Sequence, residues 1–270
     1  MLPLRSLALR RPRPEQLGNF PYSVPAIRLL ETLAFPAPVT FFVGENGSGK
    51  STLLEAVAHA TGLPAIGSEL RVEDDATLDE QRTLAASISL TWNRGRSPRG
   101  FFLRAEDFFG FTKTLARMRA AFVAELSAID EEYRDRSATA RGLRIDPIAA
   151  SLRDMETRYG VNLDANSHGE SFLALFKARF VPGGLYLLDE PEAPLSPQSQ
   201  LGFLAMLKDM SAQSSQFIIA SHSPILLAHP GATIYSFDRP PVHGVAYEEL
   251  EHVRLTRDFL ASPERFLRHL

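Results

Sequence analysis

The sequence predicts an α/β fold with a mostly parallel central sheet, an N-terminal antiparallel β subdomain and a small helical insertion. Three observations carry this expectation. A compact apolar run, Val39–Val43, enters a glycine-rich loop that leads into helical apolar spacing. Two further apolar runs, Leu185–Leu188 and Phe217–Ala220, are each followed by a helical pattern. Strands that alternate with helices imply parallel pairing with both sheet faces covered.

Each element has its own signal. Leu4–Leu9, Ala26–Leu33 and Val39–Val43 read as short strands among Pro-rich turns. Residues 51–60 carry Leu53, Leu54, Val57 and Ala58 at helical spacing, with Gly62 as the stop. Ser87–Trp92 and Gly100–Ala105 read as two strands joined by a basic turn that holds Arg94, Arg96 and Arg99. Residues 107–165 are rich in Ala, Leu, Arg and Glu, and read as two or three helices broken near Gly142 and Pro147. A helix after Ser167 follows. Another runs from Pro197 to Met210, with Ser196 as N-cap and Pro197 in its first turn. A short helix around Ile225–Ala228, a last strand Ile234–Phe237 and closing amphipathic helices, Tyr247–Leu260 and Pro263–Leu270, complete the chain. We read one domain, 1–270. It comprises antiparallel strands plus the glycine loop (1–106), a helical subdomain (107–166), the region of the later motifs (167–246) and C-terminal helices (247–270).

Bulk properties narrow the function. With 270 residues and 44% hydrophobic residues, the chain can bury a sizeable core. A net charge of -3 gives no global demand for nucleic acid or an anionic membrane. The absence of cysteine excludes disulfides, thiolate metal sites and cysteine nucleophiles, and agrees with a cytoplasmic setting. No apolar run is long enough to span a bilayer. Arg5, Arg10, Arg11 and Arg13 split the N-terminal apolar pieces, unlike the continuous apolar core of a signal peptide.

The glycine loop Gly44-Glu45-Asn46-Gly47-Ser48-Gly49-Lys50-Ser51-Thr52 fits the phosphate-loop pattern G-x-x-x-x-G-K-[ST]. Glycines let backbone N–H groups converge on phosphate oxygens, and the following helix turns its positive end to them. Lys50 reaches the β- and γ-phosphates, and the Ser51 hydroxyl takes one Mg²⁺ position. After the apolar run 185–188, Asp189 is placed to hold Mg²⁺ and Glu190 to orient and deprotonate water. Ser167-His168-Gly169-Glu170-Ser171 reads, by itself, as a capped helix start that also suits an anion. Ser221-His222-Ser223 places a histidine at a strand C-terminus, where it can bond a γ-phosphate oxygen or serve as a satisfied turn histidine.

Taken in order, GENGSGKST, SHGES, LYLLDEPEA and ASHS resemble the phosphate loop, signature, Walker B strand with catalytic glutamate, and switch histidine of the ABC-type ATPases, over about residues 36–228. The run Asp189-Glu190-Pro191-Glu192-Ala193-Pro194-Leu195-Ser196-Pro197 is similar to the soluble, stand-alone branch near the OLD-type, RecF-type and SMC-type proteins. The resemblance implies a P-loop NTPase fold that binds ATP and Mg²⁺ and hydrolyses ATP. Asn46, Gly47, Ser48, Gly49, Lys50, Ser51 and Thr52 then line the nucleotide, and Ser51 and Asp189 hold the metal. Glu190 and His222 are catalytic. Ser167, Gly169 and Glu170 close over the γ-phosphate of another subunit, giving a head-to-tail homodimer with ATP at its interface. Nucleic acid or a protein is the further partner, in repair, chromosome handling or defence; the alternative is the ATP-binding subunit of a membrane transporter.

The pattern departs from the family in places. Glu170 stands where Gly or Gln is frequent, and Ser196 where transporter subunits carry Asp. No Q-loop glutamine is evident. Glu106 stands in the right stretch as a Mg²⁺- and water-facing residue, or else as a surface acid. Phe20 and Tyr22 are candidates to stack on adenine, or else core aromatics. Trp92 with the basic turn can bind a nucleic-acid backbone, although a solvated turn is the plainer reading.

Overall fold

The chain opens with β1 (Leu4–Leu9), a short helix α1 (Pro25–Arg28), β2 (Thr32–Ala34) and β3 (Val39–Val43) in a computed structural model that describes residues 1–66, 79–93, 99–134, 137–159 and 168–268. There follow α2 (Lys50–Thr61), β4 (Ala65–Ile66), α3 (Asp79–Ser87), β5 (Ile88–Trp92) and β6 (Gly100–Arg104). The helical arm is α4 (Ala105–Glu132) and α5 (Ala138–Tyr159), and α6 (His168–Arg179) leads back to the sheet. Then come β7 (Leu185–Asp189), α7 (Pro197–Ala212), β8 (Gln216–Ala220), α8 (Pro224–Leu227), β9 (Thr233–Ser236) and β10 (His243–Gly244). A 3₁₀ turn at Tyr247–Glu249 precedes α9 (Glu251–Ala261) and α10 (Pro263–Leu267).

The seven-stranded main sheet has the order β10-β9-β3-β8-β7-β6-β4, parallel except for β10. A separate antiparallel sheet has the order β2-β1-β5. The expected α/β architecture is therefore present. Strands β3, β7 and β8 are buried throughout, which is why they read as continuous apolar runs. Their side chains alternate between two cores. Phe42, Leu187, Ile218 and Ala220 pack with α2 and the small sheet. Phe41, Val43, Tyr186, Leu188 and Ile219 pack with the aromatic side chains Phe172, Phe176 and Phe203 of α6 and α7. Burying one such side chain contributes about 1.5–3 kcal/mol. The buried Gln216 amide joins the two sheets: its Oε1 accepts from Leu4 N at 2.7 Å and its Nε2 donates to Leu4 O at 2.8 Å.

Register positions the site. Phe42 pairs with Ala220, Ala220 with Asp189, and Asp189 with Arg104. One row across four parallel strands thus ends them together, and the glycine loop, the Asp-Glu pair and the Ser-His-Ser loop leave the same sheet edge side by side.

Four expectations are corrected. Residues 26–33 are not one strand: α1 begins at Pro25, whose fixed φ suits a helical first turn, and extended backbone resumes only at Thr32. Ser87–Trp92 and Gly100–Ala105 do not form a hairpin. β5 pairs with β1, with Trp92 opposite Leu4, while β6 lies between β4 and β7. The burial patterns explain this, because Phe101, Phe102 and Leu103 are core residues whereas β5 alternates. The basic turn's Arg94 and Arg96 lie outside the described residues. α5 runs unbroken through Gly142 and Pro147. It packs along α4, with Arg119–Glu156 and Arg141–Asp130 ion pairs, and those contacts outweigh one missing backbone donor. Finally, β9 is not the last strand, because β10 pairs outside it.

Candidate functional site

The glycine loop joins β3 to α2. Gly49 is the N-cap of α2 at φ 103, and a Cβ there would sit 3.0 Å from Val24 Cγ1, so both backbone and space require glycine. The first N–H groups of α2 have no acceptor within the helix. Lys50 is only 4% exposed, and its Nζ donates to the carbonyls of Gly44 (2.6 Å) and Glu45 (3.0 Å). Burial lowers its pKa; the Glu190 and Asp189 carboxylates work in the opposite direction. Ser48 Oγ is buried without a hydrogen-bond partner. Asn46 and Gly47 are exposed, and Thr52 is half-buried on the first turn of α2.

Asp189 ends β7. Ser51 Oγ donates to its Oδ1 at 3.1 Å, which brings the two expected metal-binding side chains together. Burial pushes the Asp189 pKa up to about 7; Ser51 and Arg104 pull it down, and Glu55 and Glu190 raise it further. Among the described residues, no group of three or more His, Cys, Asp or Glu side chains forms a metal cluster. Two protein oxygens beside a phosphate cradle suit Mg²⁺, which keeps waters and binds through phosphates. Glycine backbone, a helix N-terminus, the orphaned Ser48 hydroxyl and the Ser51–Asp189 pair together form a donor set that fits a polyphosphate with a divalent cation.

Glu190 leaves the strand at φ 50, a left-handed conformation uncommon for a residue with a Cβ. Its N–H donates to Ala220 O at 2.9 Å, and its half-exposed carboxylate lies 3.8 Å from His222 Nε2. Burial, then Lys50, lowers the His222 pKa and favours a neutral ring with one donor and one acceptor. The structure therefore brings Lys50, Ser51, Asp189, Glu190 and His222 together. Glu106 lies in the first turn of α4, 77% exposed, and lines a cavity of about 420 Å³ with Ser51, Asp189 and Glu190. Tyr22 is a core residue whose hydroxyl donates to Ser87 Oγ at 2.9 Å, so it does not offer a face for stacking; Phe20 is partly exposed.

The signature stretch lies elsewhere. Gly169 packs on the start of α7, where a Cβ would meet Ser199 Oγ at 3.2 Å and Pro194 O at 3.3 Å. Glu170 is exposed. Ser167 lies outside the described residues.

Sequence reasoning missed four side chains. Arg104 Nε lies 3.0 Å from Glu55 Oε1, a pair sheltered beside Asp189. Glu192 accepts from the loop of His222. Asp238 Oδ1 accepts from Glu45 N at 2.7 Å, and Asp238 lines a second cavity of about 480 Å³ with Gly44, His222 and His252. A carboxylate among apolar residues of α2 and an arginine ending an apolar strand were the available signals for Glu55 and Arg104.

The chain is similar to several known proteins. Residues 25–140 match a family model described as "AAA domain", and residues 171–228 match one described as "AAA domain, putative AbiEii toxin, Type IV TA system". The chain is similar to a "Putative ABC transporter ATP-binding protein" of Methanosarcina acetivorans (26% identity, 76% of this chain, 72% of that protein). It is also similar to the "Cobalt import ATP-binding protein CbiO" of Salmonella typhimurium (26% identity, 84% of this chain, 80% of that protein). A match to a Streptomyces coelicolor relative spans about a third (34%) of that longer protein. Among solved structures, the chain is similar to the SMC head domain from Thermotoga maritima (17% identity, 91% of this chain, 98% of that one, TM-score 0.44).

Proposed function

We propose that this chain is an ATPase of the ABC type that hydrolyses ATP with Mg²⁺, that ATP joins two copies head to tail and that hydrolysis parts them. The supporting observation is the position of α6. Among the described residues, neither cavity flanking the phosphate loop is lined by α6, whose Gly169 packs on α7 instead. A second copy can bring that helix start to the γ-phosphate.

In this reading the N–H groups of the loop, with Asn46, Gly47, Ser48, Gly49 and Thr52, cradle the triphosphate. Lys50 exchanges the carbonyls of Gly44 and Glu45 for β- and γ-phosphate oxygens. Ser51 and Asp189 would hold Mg²⁺, which would supply neutralisation of phosphate charge, and Glu106 would face the water in that cavity. Glu190 takes a proton from the attacking water, and His222 donates to a γ-phosphate oxygen. Ser167, Gly169 and Glu170 of the second copy complete the site. ATP then favours the closed dimer by its differential affinity.

Steady-state hydrolysis by Glu190→Gln tests the assignment of the base. We expect kcat to fall about 10²–10⁴-fold with MgATP affinity retained; turnover at the wild-type rate would contradict it.

The names of the similar proteins support a second reading, an ATP-binding subunit of a membrane transporter. Among the described residues no helix is long and apolar enough to cross a membrane, so the membrane part would be a separate partner. Co-purification with a membrane-spanning chain would support this reading over a nucleic-acid or protein partner in repair, chromosome handling or defence.

A further inference from the structure

Glu192 stands two residues after Glu190 in the turn that leaves β7. Its Oε1 accepts from Ser221 Oγ at 2.8 Å and from the backbone N–H of His222 at 2.7 Å. Its Oε2 is buried and has no hydrogen-bond partner. The tie continues beyond it. Ser221 Oγ accepts from Ser223 N at 3.1 Å, and Ser223 caps α8 and donates to Gln200 Oε1. Gln200 Nε2 returns to Leu195 O at 3.2 Å, in the segment that Glu192 begins. The circuit therefore runs from the turn after β7 to the loop after β8, on through α8 and α7, and back.

We propose that Glu192 is a positioning residue that sets His222 against Glu190. Three arguments support this. Burying a carboxylate is costly unless hydrogen bonds compensate, and the compensating bonds here come from the histidine loop. They fix the backbone of His222 itself, whose ring faces Glu190 at 3.8 Å. Glu190 N donates to Ala220 O and Ser221 N to Phe42 O at 3.1 Å, which fixes the strand ends as far as residue 221, and Glu192 then holds the next backbone N–H, that of His222. A displacement of about 1 Å from a productive geometry costs about a hundredfold in rate.

The inference rests on the reading of Glu190 as base and His222 as phosphate ligand, and its test separates the two. MgATP hydrolysis is measured for the full chain and for Glu192→Ala, Glu192→Gln, His222→Ala, the Glu192→Ala/His222→Ala double variant and Glu190→Gln. In Glu192→Ala we expect kcat to fall about tenfold to a hundredfold with KM within about twofold of wild type. Glu192→Gln keeps an oxygen that accepts both bonds, and recovers kcat to within about threefold of wild type. The double variant is no slower than His222→Ala, because Glu192 acts through that histidine. Full kcat in Glu192→Ala, or losses that add in the double variant, would overturn the inference while a slow Glu190→Gln leaves the site reading standing. Full activity in both Glu190→Gln and His222→Ala would remove the site reading and this inference with it. Should Glu192→Ala fail to fold, Ser221→Ala takes its place: it removes one of the two bonds, lowers kcat with KM held if the inference is right, and leaves kcat unchanged if it is wrong.

Discussion

Asp189 is 8% exposed at the end of a strand buried along its length, and its carboxyl holds a proton up to about pH 7. In the unfolded chain it ionises in the ordinary carboxylate range. The folded state therefore binds more protons between those two values, and stability falls as pH rises through that window. Asn at this position cannot ionise. We predict that Asp189→Asn raises the nucleotide-free Tm at pH 8, that the gain shrinks toward pH 5, and that Mg²⁺-dependent nucleotide affinity is lost. Melting curves at the two pH values check this, and an unchanged Tm at pH 8 counts against the buried charge. The convergence of Lys50, Ser51, Asp189, Glu190 and His222 was legible because each sits in a short run that directly follows an apolar strand. Glu55, Arg104 and Glu192 had no assigned role because their contacts join segments far apart in sequence. The left-handed backbone of Glu190 was not legible either, since a glutamate gives no signal of positive φ.

At the scale of elements, the strand register decides where these side chains meet. β6 starts at Gly100 with φ 125, and a Cβ there would fall 1.8 Å from Leu185 O. Gly100→Ala should therefore break the β6–β7 pairing and cost about 3 kcal/mol or more; a midpoint within error of wild type in urea would show that the strands can part without loss. The runs that became β3, β7 and β8 were legible as buried parallel strands, as were α2 with its Gly62 stop and α7 with its Ser196 cap, where Ser199 N donates to Ser196 Oγ at 3.2 Å. The pairing of β5 with β1 was not, because a local turn signal between two strands does not say which sheet each joins. Pro147 misled for a related reason: α5 continues through it while packed along α4, a contact between segments that a local proline signal does not report.

At the scale of the whole molecule, three loops leave one sheet edge, and α6 packs on α7 so that both helix starts lie together at Gly169 and Ser199. A site of this kind joins two copies only if the start of α6 on one serves the phosphate loop of the other. The most direct measurement is the solution mass of Glu190→Gln by light scattering, first with MgATP and then with MgADP. We predict a dimer with MgATP and a monomer with MgADP. A monomer in both would contradict the proposal that ATP holds two copies together.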